Sequence, residues 1–401
     1  MSEYPIIAFT ALLILAYGLF SKKLEKTIIT APMVFVLIGI LVASYPVKAL
    51  EEGINAPLVK ILAEITLILV LFNDASTINL SVLRKQKKLP IRLLFIGLPL
   101  TMILGILIAA LLFPEMNIWT LALMALILSP TDAALGQAVV TSNDVPEKIR
   151  QTINVESGLN DGIALPPILI CIAVLANSEH GDSGAAYWLL FTLKQFIYGP
   201  IIGGFIGWIG GLLVDKASQK GWMNTTFQSL SSISIAFMAF ALAESVHGNG
   251  FIAAYFAGLL LGTLTQEVRE RIHQFGEAES QALVLFIFLL FGMIMVPLCY
   301  PYWDYRAWVY ALLSLTVIRM IPVALSLIGT KTSWFSVGFI GWFGPRGIAS
   351  VLYMLLMVIE LGKEDYLPMI SVVVLTVFLS IFLHGVSAVP LSKILGKRMN
   401  P

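Results

Sequence analysis

Residues 125–140 read ALILSPTDAALGQAVV, and residues 339–350 read FIGWFGPRGIAS. Each stretch is apolar on both sides of a proline, and each carries one charged residue beside the break, Asp132 in the first and Arg346 in the second. Proline lacks an N–H and clashes with the preceding turn, so a helix is interrupted at both places. Inside a bilayer an interruption is tolerated only where the freed backbone is buried in protein or lines a polar cavity. Two proline-interrupted helices at corresponding positions of two halves of a chain point to a transporter's binding site.

The composition requires a membrane. The 401 residues are 58% hydrophobic and only 12% charged, whereas a soluble domain is about 25% charged. A water-facing surface cannot be covered with so little charge, which excludes a soluble enzyme, a disordered chain and a nucleic-acid binder. The net charge of +1 recruits no polyanion. Cys171 and Cys299 lie apart in apolar runs with no CxxC, and the four histidines show neither HExxH nor zinc spacing. No Walker lysine loop is present, and the chain is not expected to be an enzyme or to carry a cofactor.

A crossing helix needs about 20 apolar residues. Such runs occupy thirteen stretches: 4–21, 29–47, 57–80, 89–113, 117–142, 148–176, 186–214, 225–246, 250–264, 281–299, 305–328, 334–360 and 366–394. The first begins with Glu3 rather than a basic run, and no small-residue cleavage site follows it, so it reads as a span rather than a signal peptide. With the N-terminus outside, eighteen Lys and Arg fall in cytoplasmic loops and four (Lys48, Lys60, Arg306, Lys363) outside. This bias favours that orientation, an odd number of spans and a cytoplasmic C-terminus. The expected organisation over 1–401 is a single membrane domain. A first six-helix repeat covers 1–176, a linking helix 186–214 and a second, inverted repeat 225–394. The two proline breaks then fall in the fifth helix of each half, spans 5 and 12.

Ionisable residues at membrane depth are functional candidates by default. They are Asp74, Asp132, Glu156, Asp161, Lys194, Glu244, Arg319 and Arg346. The stretch NVESGLNDGIALPP at 154–167 is the richest. Four-residue spacing puts Glu156 with Asn160, and Ser157 with Asp161, on neighbouring faces of one helix. Pro166 and Pro167 free the carbonyls of Gly162 and Ile163. An all-oxygen set of this kind suits a hard alkali cation and offers nothing to a soft transition metal. Asp132 follows the span 5 break, where it can cap the second half-helix, join an ion site, or do both.

SPTDAALGQAVV together with NVESGLNDGIALP resembles the cation:proton antiporter-1 family, the bacterial NhaP-type sodium/proton exchangers related to animal sodium/hydrogen exchangers. GPRGIAS and Arg319 fit the same pattern. The resemblance implies an all-α polytopic NhaA-like fold of about thirteen transmembrane helices, with inverted repeats, crossed unwound helices 5 and 12, and a homodimer in the inner or plasma membrane. It implies exchange of one monovalent cation (Na+, or Li+ or K+) for one proton by alternating access. Asp161 would bind the cation or the proton, Asn160 would orient the site, and Thr131 and Ser157 would supply further oxygens to the cation. Glu156 would pair with Arg319 as a buried bridge, and Arg346 and Asp132 would tune the crossing. Relatives carry a Phe-Glu-Gly-Gly-like stretch at the end of span 3; here it reads FNDAS at 72–76, so Asp74 is a candidate for the acidic role or for a place in the cytoplasmic funnel. A potassium-preferring antiporter and, further off, a cation channel are the alternative readings.

The remaining polar features have simpler explanations. Lys194 is expected to snorkel to the interface, and Glu244 and His247 to sit near a surface or vestibule. Gly203, Gly207 and Gly211 form a ladder suited to close helix contact. The run Arg84–Lys88 reads as a topology anchor near anionic lipid.

Overall fold

A computed structural model of the chain describes residues 4–24, 27–43, 57–78, 88–132, 135–178, 185–265 and 269–399. Lys26, Lys48, Arg84, Lys85, Lys87 and the Ala133–Ala134 pair of the motif lie outside the described residues. Every regular element among the described residues is a helix. Lipid leaves backbone polar groups no partner but one another, and a helix satisfies them within a single segment.

In chain order the helices are α1 (Tyr4–Leu24), α2 (Ala31–Ala43), α3 (Pro57–Thr77), α4 (Lys88–Leu112), α5a (Ile118–Ile127), α5b (Gln137–Val140), α6 (Glu147–Ser178) and α7 (Ala185–Gln219). They continue with α8 (Thr225–Ser245), α9 (Gly250–Leu264), α10 (Arg269–Leu290), α11a (Tyr305–Leu315), α11b (Val317–Ser326), α12a (Trp334–Trp342), α12b (Ile348–Leu361) and α13 (Leu367–Met399). Each expected span is thus occupied by a helix or by two half-helices. Among the described residues, seven helices are long and apolar enough to cross a membrane, and four more are shorter apolar helices. The protein is a multi-pass membrane protein.

Several helix starts follow from short polar residues. Asn117, Asn224, Asn249, Asp304 and Ser333 each accept a hydrogen bond from a backbone N–H in the first turn of α5a, α8, α9, α11a and α12a. The proline breaks are present in α5 and α12. Three further irregularities were not anticipated. Leu93–Gly97 and Phe291–Met295 are π-helical turns, and span 11 is divided at Thr316 (φ −116°, ψ −90°) rather than continuous. No glycine or proline lies at that last joint, so residue type did not announce it. Pro166 and Pro167, by contrast, do not interrupt α6.

By compactness the chain divides into two units that interleave along the sequence. The first comprises Met1–Ala63, Lys87–Asn160 and Val284–Pro401; the second comprises Glu64–Gln86 and Asp161–Leu283. In the first, α12b is buried along Ile348–Val358 and α13 along Met369–Val377. A separate apolar cluster that includes Leu93, Ile149, Phe343 and Leu395 ties α4, α6, α12 and α13 together. Gly39 of α2 and Gly292 let two backbones touch: a Cβ on the first would strike the Leu289 carbonyl, and one on the second that of Val36. In the second unit Gly203 and Gly207 of α7 lie against the backbone of Ala253 and Ala257 of α9. Gly258 and Gly262, on α9, lie against the carbonyls of Phe72 and Ser76 on α3.

Candidate cation site

The site is built from two broken helices and one intact one. In the first unit, α5 unwinds after Leu128 and α12 unwinds between Trp342 and Ile348. The two unwound stretches are joined directly, the Asp132 N–H donating to the Pro345 carbonyl at 2.8 Å. Their charged side chains then cross. The Asp132 carboxylate accepts the N–H of Ile348 at 2.7 Å and more weakly that of Leu135 at 3.4 Å. Asp132 therefore caps the second half of α12 far better than the second half of its own helix, which corrects the local cap expected from sequence. Arg346 returns the arrangement, with Nη1 donating to the carbonyls of Ser129 and Pro130 at the end of α5a. An acid at a helix N-terminus and a base at a C-terminal end each offset the partial charge there.

Three oxygen-bearing side chains gather beside this crossing. Thr131 Oγ1 lies 3.0 Å from Ser157 Oγ and accepts from Asn160 Nδ2 at 2.6 Å. Asn160 is fully buried, and its side-chain oxygen has no hydrogen-bond donor. One turn back on α6, Glu156 meets Arg319 of α11b at 2.6 Å and 2.8 Å through both guanidinium nitrogens, each residue 1% exposed. The Nη2–Oε2 contact is a hydrogen bond and the Nη1–Oε1 contact an ion-pair approach, and together they offset two buried charges.

Asp161 follows Asn160 on the uninterrupted α6 and is 4% exposed. It opens the second segment of the second unit. Within that unit the ring of Tyr255 packs on Gly162 so closely that a Cβ there would collide with it. The Tyr255 hydroxyl is in electrostatic reach of both Asp161 and Asp74. Asp74 is half-buried on α3.

The model of the family described as sodium/hydrogen exchanger, transmembrane, matches residues 8–394. The chain belongs to the sodium/hydrogen exchanger family. Among curated relatives, a K(+)/H(+) antiporter NhaP2 of Shewanella oneidensis is 26% identical over 57% of this chain and 39% of its own. A Na(+)/H(+) antiporter of Schizosaccharomyces pombe is 26% identical over 69% of this chain and 65% of its own. A Na(+)/H(+) antiporter 2 of Zygosaccharomyces rouxii is 27% identical over 60% and 31% respectively. The chain thus spans between 31% and 65% of the length of these relatives. The solved structure of the sodium proton antiporter MjNhaP1 from Methanocaldococcus jannaschii at pH 8 superposes with a TM-score of 0.81, at 18% identity and 99% coverage of both chains. The fold is the one that exchanger has.

Some residues of this exchanger-family chain were not foreseen. Tyr255 sits in an apolar run of α9 that offered no polar neighbour as a signal. His384 of α13 is 1% exposed and fully engaged, its Nε2 lying 2.9 Å from the Trp342 carbonyl and its Nδ1 3.0 Å from Ser380 Oγ. The rule that flags ionisable groups at membrane depth applies to His384 too and would have found it. Glu244 turned out to hold the N–H of Gly250 at 2.7 Å, closing the turn from α8 into α9. Lys194 is exposed.

Proposed function

We propose that the protein is a secondary active antiporter that exchanges a monovalent cation for a proton, one for one, across a cell membrane. The observation that carries this reading is the buried oxygen cluster of Thr131, Ser157 and Asn160, continued along α6 by the buried carboxylate of Asp161. Asp161 is the exchanging group, held by either a proton or a cation but never by both. Ser157, a turn earlier on the same helix face, and its partner Thr131 lend oxygens to the cation, and Asn160 orients them. Asp132 and Arg346 keep the two breaks in register, and Glu156 and Arg319 brace α6. Asp74, in reach of the same tyrosine as Asp161, attracts the cation on its approach.

A carboxylate stripped of water resists crossing a low-dielectric barrier while charged, and passes once neutralised by either occupant. Competition at one group therefore suffices to couple two fluxes. No covalent step occurs, so the protein is a transporter rather than an enzyme. The Lys and Arg bias places the N-terminus outside and the C-terminus in the cytoplasm. The homodimer implied by the resemblance, and the inner or plasma membrane as its location, belong to the same reading.

Sodium is the first expectation for the cation. Potassium is the alternative, favoured by the S. oneidensis relative's name. The test uses proteoliposomes with an internal pH dye, challenged in turn with sodium, lithium and potassium. The Asp161→Asn variant should be folded and inactive with all three. Normal exchange in that variant would exclude Asp161 as the exchanging group.

A further inference from the structure

The unwound stretch of α12 has a support that the crossing with α5 does not supply. Two residues of α13, Ser380 and His384, reach it at both ends. Ser380 Oγ accepts the backbone N–H of Arg346 at 2.7 Å. His384 Nε2 meets the carbonyl of Trp342, the last residue of α12a, at 2.9 Å. Nδ1 faces both the Oγ and the backbone carbonyl of Ser380, each at 3.0 Å, so each ring nitrogen has a carbonyl to donate to. Ser380 Oγ receives the N–H of Arg346 and lies against the imidazole. The relay links the Arg346 N–H, through Ser380 and His384, to the Trp342 carbonyl.

Nothing about packing alone requires this. Both side chains are buried, Ser380 at 0% and His384 at 1% exposure. An apolar pair would fill the same space without hydrogen-bond constraints. The indole of Trp342 covers the imidazole with ring centroids 4.8 Å apart, and its Nε1 donates to Ser387 on the next turn of α13. Two polar contacts from α13 thus meet the boundary where α12a stops, and a third meets the far end of the unwound stretch at Arg346. A free N–H at such a break is expensive in a membrane; that of Arg346 finds its partner in Ser380, and the Trp342 carbonyl, which already accepts the N–H of Gly344 at 2.8 Å, gains His384 as a second partner.

We propose that Ser380 and His384 are positioning residues for the cation site. Their relay fixes the backbone at Trp342 and Arg346, so the Arg346 guanidinium reaches the carbonyls of Ser129 and Pro130. Thr131, the next residue, is the one that contacts Ser157 and Asn160. The inference rests on the antiport reading for its transport consequence, but not for its structural one.

The test has two arms on the full chain in lipid. Hydrogen–deuterium exchange of the backbone at 343–348 reads the relay without any transport. Ser380→Ala and His384→Leu should each speed exchange there about fivefold to tenfold, the effect of one lost buried hydrogen bond. His384→Gln, which keeps an N–H donor toward Trp342, should stay within about twofold of the native chain. In proteoliposomes the first two variants should raise the apparent KM for the cation about fivefold or more, with a smaller fall in maximal rate. His384→Gln should restore most of the affinity with the native pH profile. Native protection at 343–348 in both Ser380→Ala and His384→Leu would overturn the relay. Faster exchange with an unchanged KM would overturn its link to the site. A displaced pH profile in His384→Gln would overturn positioning as the role of His384 in favour of a titrating one. If the native chain moves no cation at all, the antiport reading fails, and the exchange arm still decides the relay.

Discussion

Asn160 gives its amide N–H to Thr131 and leaves its oxygen without a donor, in a residue that is 0% exposed. That asymmetry suits a cation. A buried carbonyl oxygen that nothing in the protein satisfies is costly unless a ligand visits it. Ser157 is the neighbour whose hydroxyl can turn toward the same visitor. Ser157→Ala should therefore raise the apparent KM for the cation about fivefold to tenfold while lowering the maximal rate less. A concentration series with unchanged affinity would count against Ser157 as a ligand. Glu156 and Arg319 behave differently. Both are buried and held as an ion pair with one hydrogen bond, so removing one partner strands the other's charge. Glu156→Gln and Arg319→Met are each expected to lower stability by about 3–5 kcal/mol, with the double variant recovering much of the loss. Thermal unfolding in detergent measures this, and a double variant as unstable as the sum of the single ones would contradict a pairwise role.

At the scale of helices, two devices recur. The first is cross-capping at the breaks, where the acid of α5 serves α12b and the base of α12 serves α5a. Sequence showed an acid at one break and a base at the other, and the opposed dipoles they could offset. It did not show which half-helix each would serve, because that depends on two segments more than 200 residues apart being brought together. The second device is backbone contact through glycine. The α2 crossing near Phe291–Met295 and the α3–α9 crossing both occur late in one helix and mid-way in the other. Gly258→Leu would drive a side chain into the Phe72 carbonyl and should lower the unfolding temperature sharply, as overpacking of a tight contact does. Native stability in that variant would mean the helices can part.

For the molecule as a whole, the bookkeeping of charge is the deciding quantity. One exchanging carboxylate flanked by a neutral Asn160, rather than by a second acid, predicts that a single positive charge leaves for each one that enters. Exchange measured on a solid-supported membrane should then yield no steady current under any cation gradient. A robust current would require a second titrating group and would overturn the one-for-one ratio.

Sequence by itself determined that this chain lives in a membrane, where its helices run, and where two of its breaks fall. Those features depend on local properties, apolar length and the missing N–H of proline, but proline alone did not decide continuity: α6 runs on through Pro166 and Pro167, and span 11 breaks at Thr316 without one. It also supplied the motif pair at 129–132 and 156–161 and, through four-residue spacing, which side chains of α6 share a face. Only the tertiary structure decided what meets across the chain. It joined Thr131 to Ser157 and Asn160, assigned Asp132 to the start of α12b, put Tyr255 against Gly162, and brought Ser380 and His384 to the unwound stretch. These contacts link residues far apart in sequence. Their partners are chosen by how helices pack, which hydropathy and residue spacing along one helix do not encode.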